Sequence, residues 1–286
     1  MKIGGRDFDI KGHTYVMGIL NVTPDSFSDG GRYNTIEQAL FHAQEMVEEG
    51  ADILDIGGES TRPGHTSVSA EEEIYRISPV IEKIKSEFDT PISVDTYKSE
   101  VARATIASGA DMINDIWGLK SDPEMAGVIA RKNITCCLMH NRKEAVYENY
   151  MEEVLRDLVE SVDIAHRAGI NDEKIILDPG VGFGKTYENN LEIIDRLERL
   201  HSLGYPILLG TSRKSVIGLT LNLPPEERVE GTLVTSVYAV LKGAMFVRVH
   251  DVKENVRAIK MVEAIRDGYN ERQRKSGDVG NACLQI

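Results

Sequence analysis

The sequence predicts a (β/α)8 TIM barrel, an α/β fold in which eight parallel strands form a closed cylinder inside a ring of helices. Eight short apolar runs rich in β-branched residues end in polar residues, and a helix-like stretch follows each run. Alternating strands and helices require a parallel sheet covered by helices, and runs that are apolar on both faces are typical of its buried strands. The 286 residues also approach the roughly 250 of one such barrel. The runs close on Asn21, Asp55, Asp95, Asn114, His140, Asp178, Ser212 and His250.

The strand boundaries follow from the apolar runs and from the turn residues that interrupt them. A short β-rich lead-in over residues 2–10 precedes the first strand, and we expect it to cap the floor of the barrel. The predicted strands are Tyr15–Leu20, Ile53–Ile56, Ile92–Val94, Met112–Ile113, Thr135–Met139, Ile175–Leu177, Ile207–Leu209 and Met245–Val249.

Residues suited to helix ends mark several of the intervening helices. Thr35 is a good N-cap for a first helix, which ends at Glu49 because Gly50 stops it. Ser69 is expected to cap a second, long helix, with acidic residues 71–73 in the first turn, where the helix dipole favours negative charge. Further helices are predicted at Lys98–Ser108, Met151–Ala168 and Val252–Asn270.

The repeat accounts for one domain over residues 1–275. Residues 276–286 have no periodicity, which predicts a disordered tail. An open, doubly wound sheet is the alternative arrangement of the same elements. Eight strand–helix units, rather than five or six, favour closure.

Composition restricts the classes of partner. A formal net charge of −13 argues against a nucleic acid or an anionic membrane as the partner, and it requires local cations wherever an anionic substrate binds. No run approaches the ~18 apolar residues of a membrane helix, and the first residues do not resemble a signal peptide. Cys136 and Cys137 are adjacent in an apolar run, so we expect buried thiols in a reducing cytoplasm.

Three strand ends carry hydrogen-bond acceptors. Asp95, Asn114 and Asp178 each follow an apolar run, and the carboxyl ends of barrel strands are the usual place for chemistry. A single aspartate at such a position is often only an N-cap for the next helix. Three acceptors converging on one pocket instead suit a flat heterocycle rich in N–H donors. Asp115, beside Asn114, is expected to be structural.

Other strand ends carry cations. Each would alone be a solvated charge, but together with the hydroxyls of Thr61 and Ser212 they predict a phosphate or diphosphate site. Strands seven and eight are also where many barrels bind phosphate. The cationic candidates are Arg62, Arg213, Lys214, Arg248 and His250.

Two glycine-rich segments add to the candidate site. The stretch from Asp178 does not fit a nucleotide-binding P-loop, because three residues instead of four separate Gly180 from Gly184. Its glycines are expected to let the backbone approach a planar ligand, on which Phe183 stacks. Phe27, in the loop after the first strand, has no obvious core role and suggests a lid; a plain surface loop is the alternative.

The sequence of these motifs resembles the dihydropteroate synthase family over nearly the whole chain. The matching stretches are GILNVTPDSFSDGG from Gly18, DIGGESTRPG from Asp55, SVDT from Ser93, IND from Ile113, LDPGVGFGK from Leu177, GTSRKS from Gly210 and VRVHDV from Val247. The resemblance implies a transferase of folate biosynthesis that joins 6-hydroxymethyl-7,8-dihydropterin diphosphate to 4-aminobenzoate, giving 7,8-dihydropteroate and diphosphate. It also implies Mg2+, a homodimer formed through late helices, and inhibition by sulfonamides, which mimic aminobenzoate.

The resemblance assigns a role to each matched position, with Asp95, Asn114 and Lys214 carrying catalysis. The pterin ring contacts Asp95, Met139, Asn114, Asp178, Gly182, Phe183 and Lys214. Asn21 holds Mg2+ together with the diphosphate. The leaving diphosphate contacts Thr61, Arg62, Arg248 and His250. The aminobenzoate lies among Thr23, Pro24, Phe27, Pro63 and Ser212.

The chemistry of these roles favours a dissociative displacement. Cations and Mg2+ stabilise the departing diphosphate, the resulting cation is delocalised into the pterin, and a weak aniline nucleophile attacks. No activated Ser or Cys pair is visible for covalent catalysis. A pterin-binding methyltransferase domain and a non-catalytic pterin-binding barrel are the alternatives. The diphosphate cations and the loop with Phe27 disfavour the first, and the presence of Asn21, Arg248 and His250 disfavours the second.

Overall fold

The computed structural model describes residues 1–10, 12–23, 32–59 and 67–282, and the side chains of 32–35 and 269–282 are outside this description. Within these ranges the chain forms two layers, strands inside and helices outside. The strands are β1 (Lys2–Ile3), β2 (Arg6–Asp7), β3 (Tyr15–Asn21), β4 (Ile53–Gly57), β5 (Ile92–Asp95), β6 (Met112–Asp115), β7 (Thr135–Met139), β8 (Ile175–Asp178), β9 (Leu208–Leu209) and β10 (Phe246–Val249). The α-helices are α1 (Arg32–Glu49), α2 (Ala70–Glu87), α3 (Ser99–Ala107), α4 (Met125–Lys132), α5 (Tyr150–Ala168), α6 (Tyr187–Asp195), α7 (Ser215–Leu221), α8 (Val229–Leu241) and α9 (Val252–Ala282).

Eight parallel strands form the predicted barrel. They pair in the order β8-β7-β6-β5-β4-β3-β10-β9. The first and last strands of this order meet through a parallel bridge between Leu177 and Ile207, and the Leu177 N–H donates to the carbonyl of Pro206 at 2.9 Å. The cylinder is therefore closed, and the (β/α)8 prediction is confirmed over the open-sheet alternative.

The alternation of side chains along each strand decides what faces the barrel interior. In β4, Ile53 belongs to the apolar cluster inside the barrel, whereas Leu54 and Ile56 pack in the layer between strands and helices. Asp55 therefore shares the inward side with Ile53. The same alternation in the other strands directs inward Asn21, Asp95, Asn114, Met139, Asp178 and Arg248.

The lead-in closes the amino-terminal end of the barrel, as predicted. β1 and β2 form an antiparallel pair, and Phe8 after them is buried together with Ile3 in the interior cluster. The Phe8 ring packs edge-on against Tyr15 at a centroid distance of 4.8 Å and lies 5.8 Å from the ring of Phe246. Because this end is filled with apolar side chains, a polar ligand has access only from the opposite rim.

Several strands extend one or two residues beyond their predicted ends. β5, β6 and β8 include the polar residues Asp95, Asp115 and Asp178, because a ladder uses backbone groups whatever the side chain. The register pairs Asp95 with Asn114 and Met139 with Asp178. The acceptors therefore belong to the rigid sheet and not to loops.

The helix boundaries differ more from the predictions. Ser69 caps α2 as predicted, its hydroxyl accepting from the N–H of Glu72 at 3.2 Å. The predicted N-cap at Thr35 is wrong, because α1 already begins at Arg32 and takes Thr35 into its first turns. α9 continues to Ala282, beyond the predicted end at residue 270, and so covers much of the segment predicted to lack structure.

No helix in the described ranges has the length and apolar character needed to cross a bilayer. The prediction of one domain ending at residue 275 stays a prediction.

Candidate active site

An ion-paired triad occupies the carboxyl-terminal rim of the barrel. Arg248 donates from Nε to Asp55 Oδ2 at 2.5 Å and from Nη2 to Asp95 Oδ2 at 2.7 Å. Asn114 Nδ2 donates to the same Asp55 oxygen at 3.3 Å. The remaining carboxylate oxygens, Asp55 Oδ1 and Asp95 Oδ1, are buried and accept no hydrogen bond within the described part of the chain. A buried acceptor without a partner is rare and requires an explanation, and a donor from a bound ligand would supply one.

Burial raises the pKa of Asp95 to about 7, and the neighbouring Asp55 carboxylate acts in the same direction, while the Arg248 cation opposes both. Two carboxyls share one guanidinium, so a proton on Asp95 relieves the excess negative charge near neutral pH. Asp95 is thus poised to change its protonation when a ligand changes its surroundings.

Asp178 and Lys214 form a second pair of opposite charges, beside Gly210. A Cβ atom added to this glycine would lie 3.8 Å from both Asp178 Oδ2 and Lys214 Nζ, and 3.7 Å from the Cβ of Arg248. Burial raises the pKa of Asp178, which Lys214 opposes, and burial lowers the pKa of Lys214 to about 8, which Asp178 opposes. The Lys214 ammonium donates to the carbonyl of Val181 at 2.6 Å, and no carboxylate in the described ranges forms an ion pair with it.

Lys214 also lies over an aromatic ring. Its Nζ atom is 4.9 Å from the ring centroid of Phe183, within the range of a cation–π contact. Phe183 is half-buried, so part of its ring remains open beside the ammonium. A flat ligand contacting Asp178 would find both an acceptor and an aromatic surface.

Two glycines in the segment after β8 allow close packing against the backbone of the same chain. Gly180 has φ +70°, and a Cβ atom there would lie 1.9 Å from the carbonyl oxygen of His140. At Gly184, with φ +54°, a Cβ atom would lie 2.2 Å from the carbonyl oxygen of Arg142. The expectation that these glycines admit a ligand is corrected for both positions, because the backbone after β7 occupies the space. Gly182, whose added Cβ would meet Lys214 Cδ at 3.4 Å, lies beside the cation.

His140, at the end of β7, is linked through Lys185 to the segment after β8. Lys185 Nζ donates to His140 Nδ1 at 2.8 Å, so the other ring nitrogen donates to Asp157 Oδ2 at 3.2 Å. This assignment requires a neutral ring, and burial lowers the pKa of His140 to about 4. Lys185 also donates to the carbonyl of Phe183 at 3.0 Å. His140 therefore anchors the segment that carries Phe183.

Serine and histidine meet at the ends of β9 and β10. The His250 N–H donates to Ser212 Oγ at 3.1 Å, and the same oxygen lies 3.0 Å from His250 Nδ1. Arg213, beside them, is ion-paired: its guanidinium donates to Asp251 at 2.5 and 3.2 Å. Its grouping with the phosphate-binding candidates stays a prediction.

The remaining predicted residues divide between the rim and the segments outside the described ranges. Asn21 ends β3 beside Asp95: a Cβ atom on Gly57 would lie 3.7 Å from both Asn21 Oδ1 and Asp95 Cβ. Thr23 follows it and is half-buried, and Met139 is buried on the inward face of β7. The predicted residues outside the described ranges are Pro24, Phe27, Thr61, Arg62 and Pro63.

Two residues at the rim received no role from the sequence. Asp55, on which the second apolar run closes, accepts from Arg248 and Asn114, and the signal was available, because Asp55 is two residues after an inward apolar position of β4. Lys185 was missed because its partner, His140, is distant in the chain and no local pattern connects them. Asp115 is structural, as expected, and accepts from two backbone N–H groups at 2.8 Å.

Replacing Asp55 with Asn should lower the pKa of Asp95 below about 7, because the variant keeps the side chain's shape but removes a charge that opposes ionisation. A carbon-13 NMR titration of the carboxyl groups measures this pKa directly. Asp89→Asn, at an exposed position, is the control and should leave it unchanged. An unchanged or raised Asp95 pKa in the Asp55 variant would contradict the shared-guanidinium description.

Comparison with known proteins gives one consistent family. The model of the family described as pterin binding enzyme matches residues 17–250. The dihydropteroate synthase of Clostridium beijerinckii is 61% identical over 266 residues, which cover 93% of this chain and 99% of that protein. The dihydropteroate synthase of Bacillus subtilis is 56% identical over 255 residues, covering 89% and 90% of the two chains.

Solved structures agree with the sequence relatives. A dihydropteroate synthase from Clostridium difficile, determined in the presence of pteroic acid, has a TM-score of 0.89 and 52% identity, covering 91% of this chain and 99% of its own. The Xanthomonas albilineans enzyme with 4-aminobenzoic acid has a TM-score of 0.86 and 46% identity, covering 90% of this chain and 94% of its own. The Yersinia pestis enzyme in a sulfonamide drug complex has a TM-score of 0.88 and 43% identity, covering 93% of this chain and 99% of its own. The chain belongs to the dihydropteroate synthase family of pterin-binding enzymes.

Proposed function

We propose that the chain condenses 6-hydroxymethyl-7,8-dihydropterin diphosphate with 4-aminobenzoate to give 7,8-dihydropteroate and diphosphate. The observation that carries this proposal is the presence, on one rim, of buried acceptor oxygens without a partner in the described part of the chain and of cations beside them. A pterin ring presents N–H donors to the acceptors, and its diphosphate presents oxygens to the cations. Relatives with pteroic acid and with 4-aminobenzoic acid support the substrate classes, and a relative in a sulfonamide complex supports susceptibility to those drugs.

The three acceptors proposed to bind the ring differ in their chemistry. Asp95 and Asp178 are ionisable and buried, and Asn114 contributes a neutral amide whose own donor is bound to Asp55. A ring N–H at Asp95 Oδ1 would use an oxygen that has no other partner in the described part of the chain. Lys214 and Phe183 then lie along the ring and toward the aminobenzoate.

The mechanism we propose is dissociative. The bond between the pterin methylene and the diphosphate oxygen breaks first, and both electrons leave with the diphosphate. Carboxylates at Asp95 and Asp178 stabilise the positive charge that develops in the ring. The amine of aminobenzoate then attacks the methylene and loses a proton. Burial raises the pKa of Cys136 and Cys137, so neither thiol competes as a covalent nucleophile.

A substrate with oxygen-18 at the oxygen that joins the pterin methylene to the diphosphate tests whether this bond breaks before the amine attacks. Without aminobenzoate, ionisation and return should move the label into non-bridging positions of the same phosphoryl group, which phosphorus-31 NMR detects. With a series of substituted anilines, the rate should depend weakly on amine nucleophilicity. Absence of label movement together with a steep dependence would instead require direct displacement.

We propose Mg2+ as the cofactor, bound with the diphosphate and not before it. No group of three or more His, Cys, Asp or Glu side chains suited to a metal is present among the described residues. The amide oxygen of Asn21 is a hard donor at the rim beside Asp95, and Mg2+ commonly combines one or two protein oxygens with phosphates and waters. The donor set therefore fits the ion. Bound Mg2+ would neutralise charge on the leaving diphosphate.

Calorimetric binding of inorganic diphosphate, with and without Mg2+, tests this role independently of turnover. Mg2+ should strengthen binding to the wild-type protein at least about tenfold, a contribution of about 1.4 kcal/mol, and Asn21→Ala should lose most of that gain. Asn171→Ala is the matched control, since Asn171 makes no side-chain cap hydrogen bond. Equal enhancement by Mg2+ in the Asn21 variant would remove Asn21 from the site.

We further propose a cytoplasmic homodimer formed through the late helices. Large apolar side chains are exposed on α7, α8 and α9, namely Leu219, Val234, Leu241, Met261 and Ile265, and surfaces of this kind mark association sites. The free, buried thiols of Cys136 and Cys137 agree with a reducing compartment. The molar mass in solution, from light scattering, decides the dimer.

Release of diphosphate separates the proposed function from its two alternatives. With pterin diphosphate as substrate, net release should require 4-aminobenzoate and should yield dihydropteroate in equal amount. A methyltransferase domain or a non-catalytic barrel would bind the pterin without amine-dependent release. Lys214→Ala should reduce kcat/KM by at least about a hundredfold, as loss of a preorganised charge does. Wild-type kinetics in that variant would exclude the role given to Lys214.

A further inference from the structure

Arg213 has an unusual backbone conformation between two site residues. Its φ is +58°, in the left-handed region that residues with a side chain rarely adopt. Ser212 precedes it and Lys214 follows it. A strained residue in such a place requires surrounding contacts that hold it, and such residues cluster at functional sites.

Contacts from three residues hold Arg213. Its guanidinium makes a two-pronged ion pair with Asp251, Nη2 to Oδ1 at 2.5 Å and Nε to Oδ2 at 3.2 Å. The backbone N–H donates to Thr232 Oγ1 of α8 at 3.2 Å. Arg228 donates to the Arg213 carbonyl at 2.8 Å and to the Lys214 carbonyl at 3.3 Å. The ion pair is the only one of these that joins the loop to the end of β10.

The ion pair connects the two halves of the site. Asp251 directly follows His250, whose N–H donates to Ser212 Oγ at 3.1 Å. On the other side of Arg213, the Lys214 ammonium reaches the Val181 carbonyl at 2.6 Å. The left-handed residue turns the neighbouring side chains to these different partners, and the ion pair fixes the turn against the strand end that carries His250.

We propose that Arg213 and Asp251 form a positioning pair that sets the placement of Lys214 relative to His250. The pair acts on the reaction through these two residues and touches no substrate. This inference rests on the proposed function, since Lys214 serves the ring and amine while His250 serves the diphosphate. It predicts that losing the pair impairs catalysis even where the chain folds normally.

Substitutions at position 213 separate the ion pair from the backbone strain. Arg213→Gly removes the guanidinium but accepts a positive φ without penalty, so this variant should fold. Asp251→Asn removes the pair from the other side and leaves Arg213 intact. Each should lower kcat/KM by about tenfold to a hundredfold, the effect expected when a catalytic group is displaced by about an ångström. Arg213→Lys, which keeps the charge, should recover part of the loss.

A double-mutant cycle distinguishes a positioning pair from two independent structural residues. The double variant should be no worse than either single variant, because both remove the same interaction. Arg103→Ala, which breaks an exposed ion pair with Glu124, is the control and should keep wild-type kinetics. Wild-type kcat/KM in both single variants would overturn the proposal, and so would additive losses.

The same variants distinguish failure of this inference from failure of the proposed function. Amine-dependent diphosphate release is measured first on the wild-type protein, and its absence would refute the function. In that case, calorimetric binding of inorganic diphosphate with Mg2+ still tests the pair. Affinity should fall about tenfold or more in Arg213→Gly and Asp251→Asn, because His250 loses its support; unchanged affinity overturns the pair's role.

Discussion

Charge compensation inside the barrel is the constraint on which the rest of the site depends. Asp55, Asp95 and Asp178 face inward from three strands, at a depth where an unpaired ion is very unfavourable. Breaking a buried ion pair costs about 3–5 kcal/mol, because the remaining charge has no partner. Arg248 therefore lies between two of the carboxyls, and Lys214 opposes the third. Each cation thus attracts the carboxyls beside it and offsets their mutual repulsion.

This compensation couples the two parts of the proposed substrate. In the proposed complex the ring binds Asp95 and the diphosphate binds Arg248, and these two residues also bind each other at 2.7 Å. A ring N–H at Asp95 Oδ1, which has no partner in the described part of the chain, would leave the ion pair at Oδ2 in place. A diphosphate that drew Arg248 away would leave Asp95 short of a partner, and a ring donor would offset part of that loss.

Much of the fold was predictable, because it depends on local sequence patterns. Part of the site was not predictable, since it depends on contacts between residues that are distant in the chain. The apolar runs gave all eight barrel strands to within two residues, and Asp95, Asn114 and Asp178 do face one interior. The ion pair of Arg213 with Asp251 was not predictable, since a sequence displays a charge but not its partner, and Asp251 lies 38 positions away. The His140–Lys185 contact spans 45 positions and has no local signature either.

The contacts that hold the loops after β8 and β9 have the same physical cause. Loops at the rim of a barrel lack the ladder that fixes the strands, so they need tethers to neighbouring strand ends. Lys185 ties the loop after β8 to His140 at the end of β7. Arg213 ties the loop after β9 to Asp251 at the end of β10. In both cases a long basic side chain of the loop makes the tether.

This arrangement also answers how a chain with a net charge of −13 attracts an anion. Arg213 and Arg142 are bound to carboxylates, Asp251 and Asp157 respectively, and add little positive potential at the rim. Lys214 donates to a carbonyl, and no carboxylate among the described residues contacts its ammonium directly. Arg248 lies between Asp55 and Asp95, so a proton on Asp95 would leave more of its charge for an anion. In the proposed complex, Lys214 and Arg248 would therefore supply the positive potential that attracts the diphosphate.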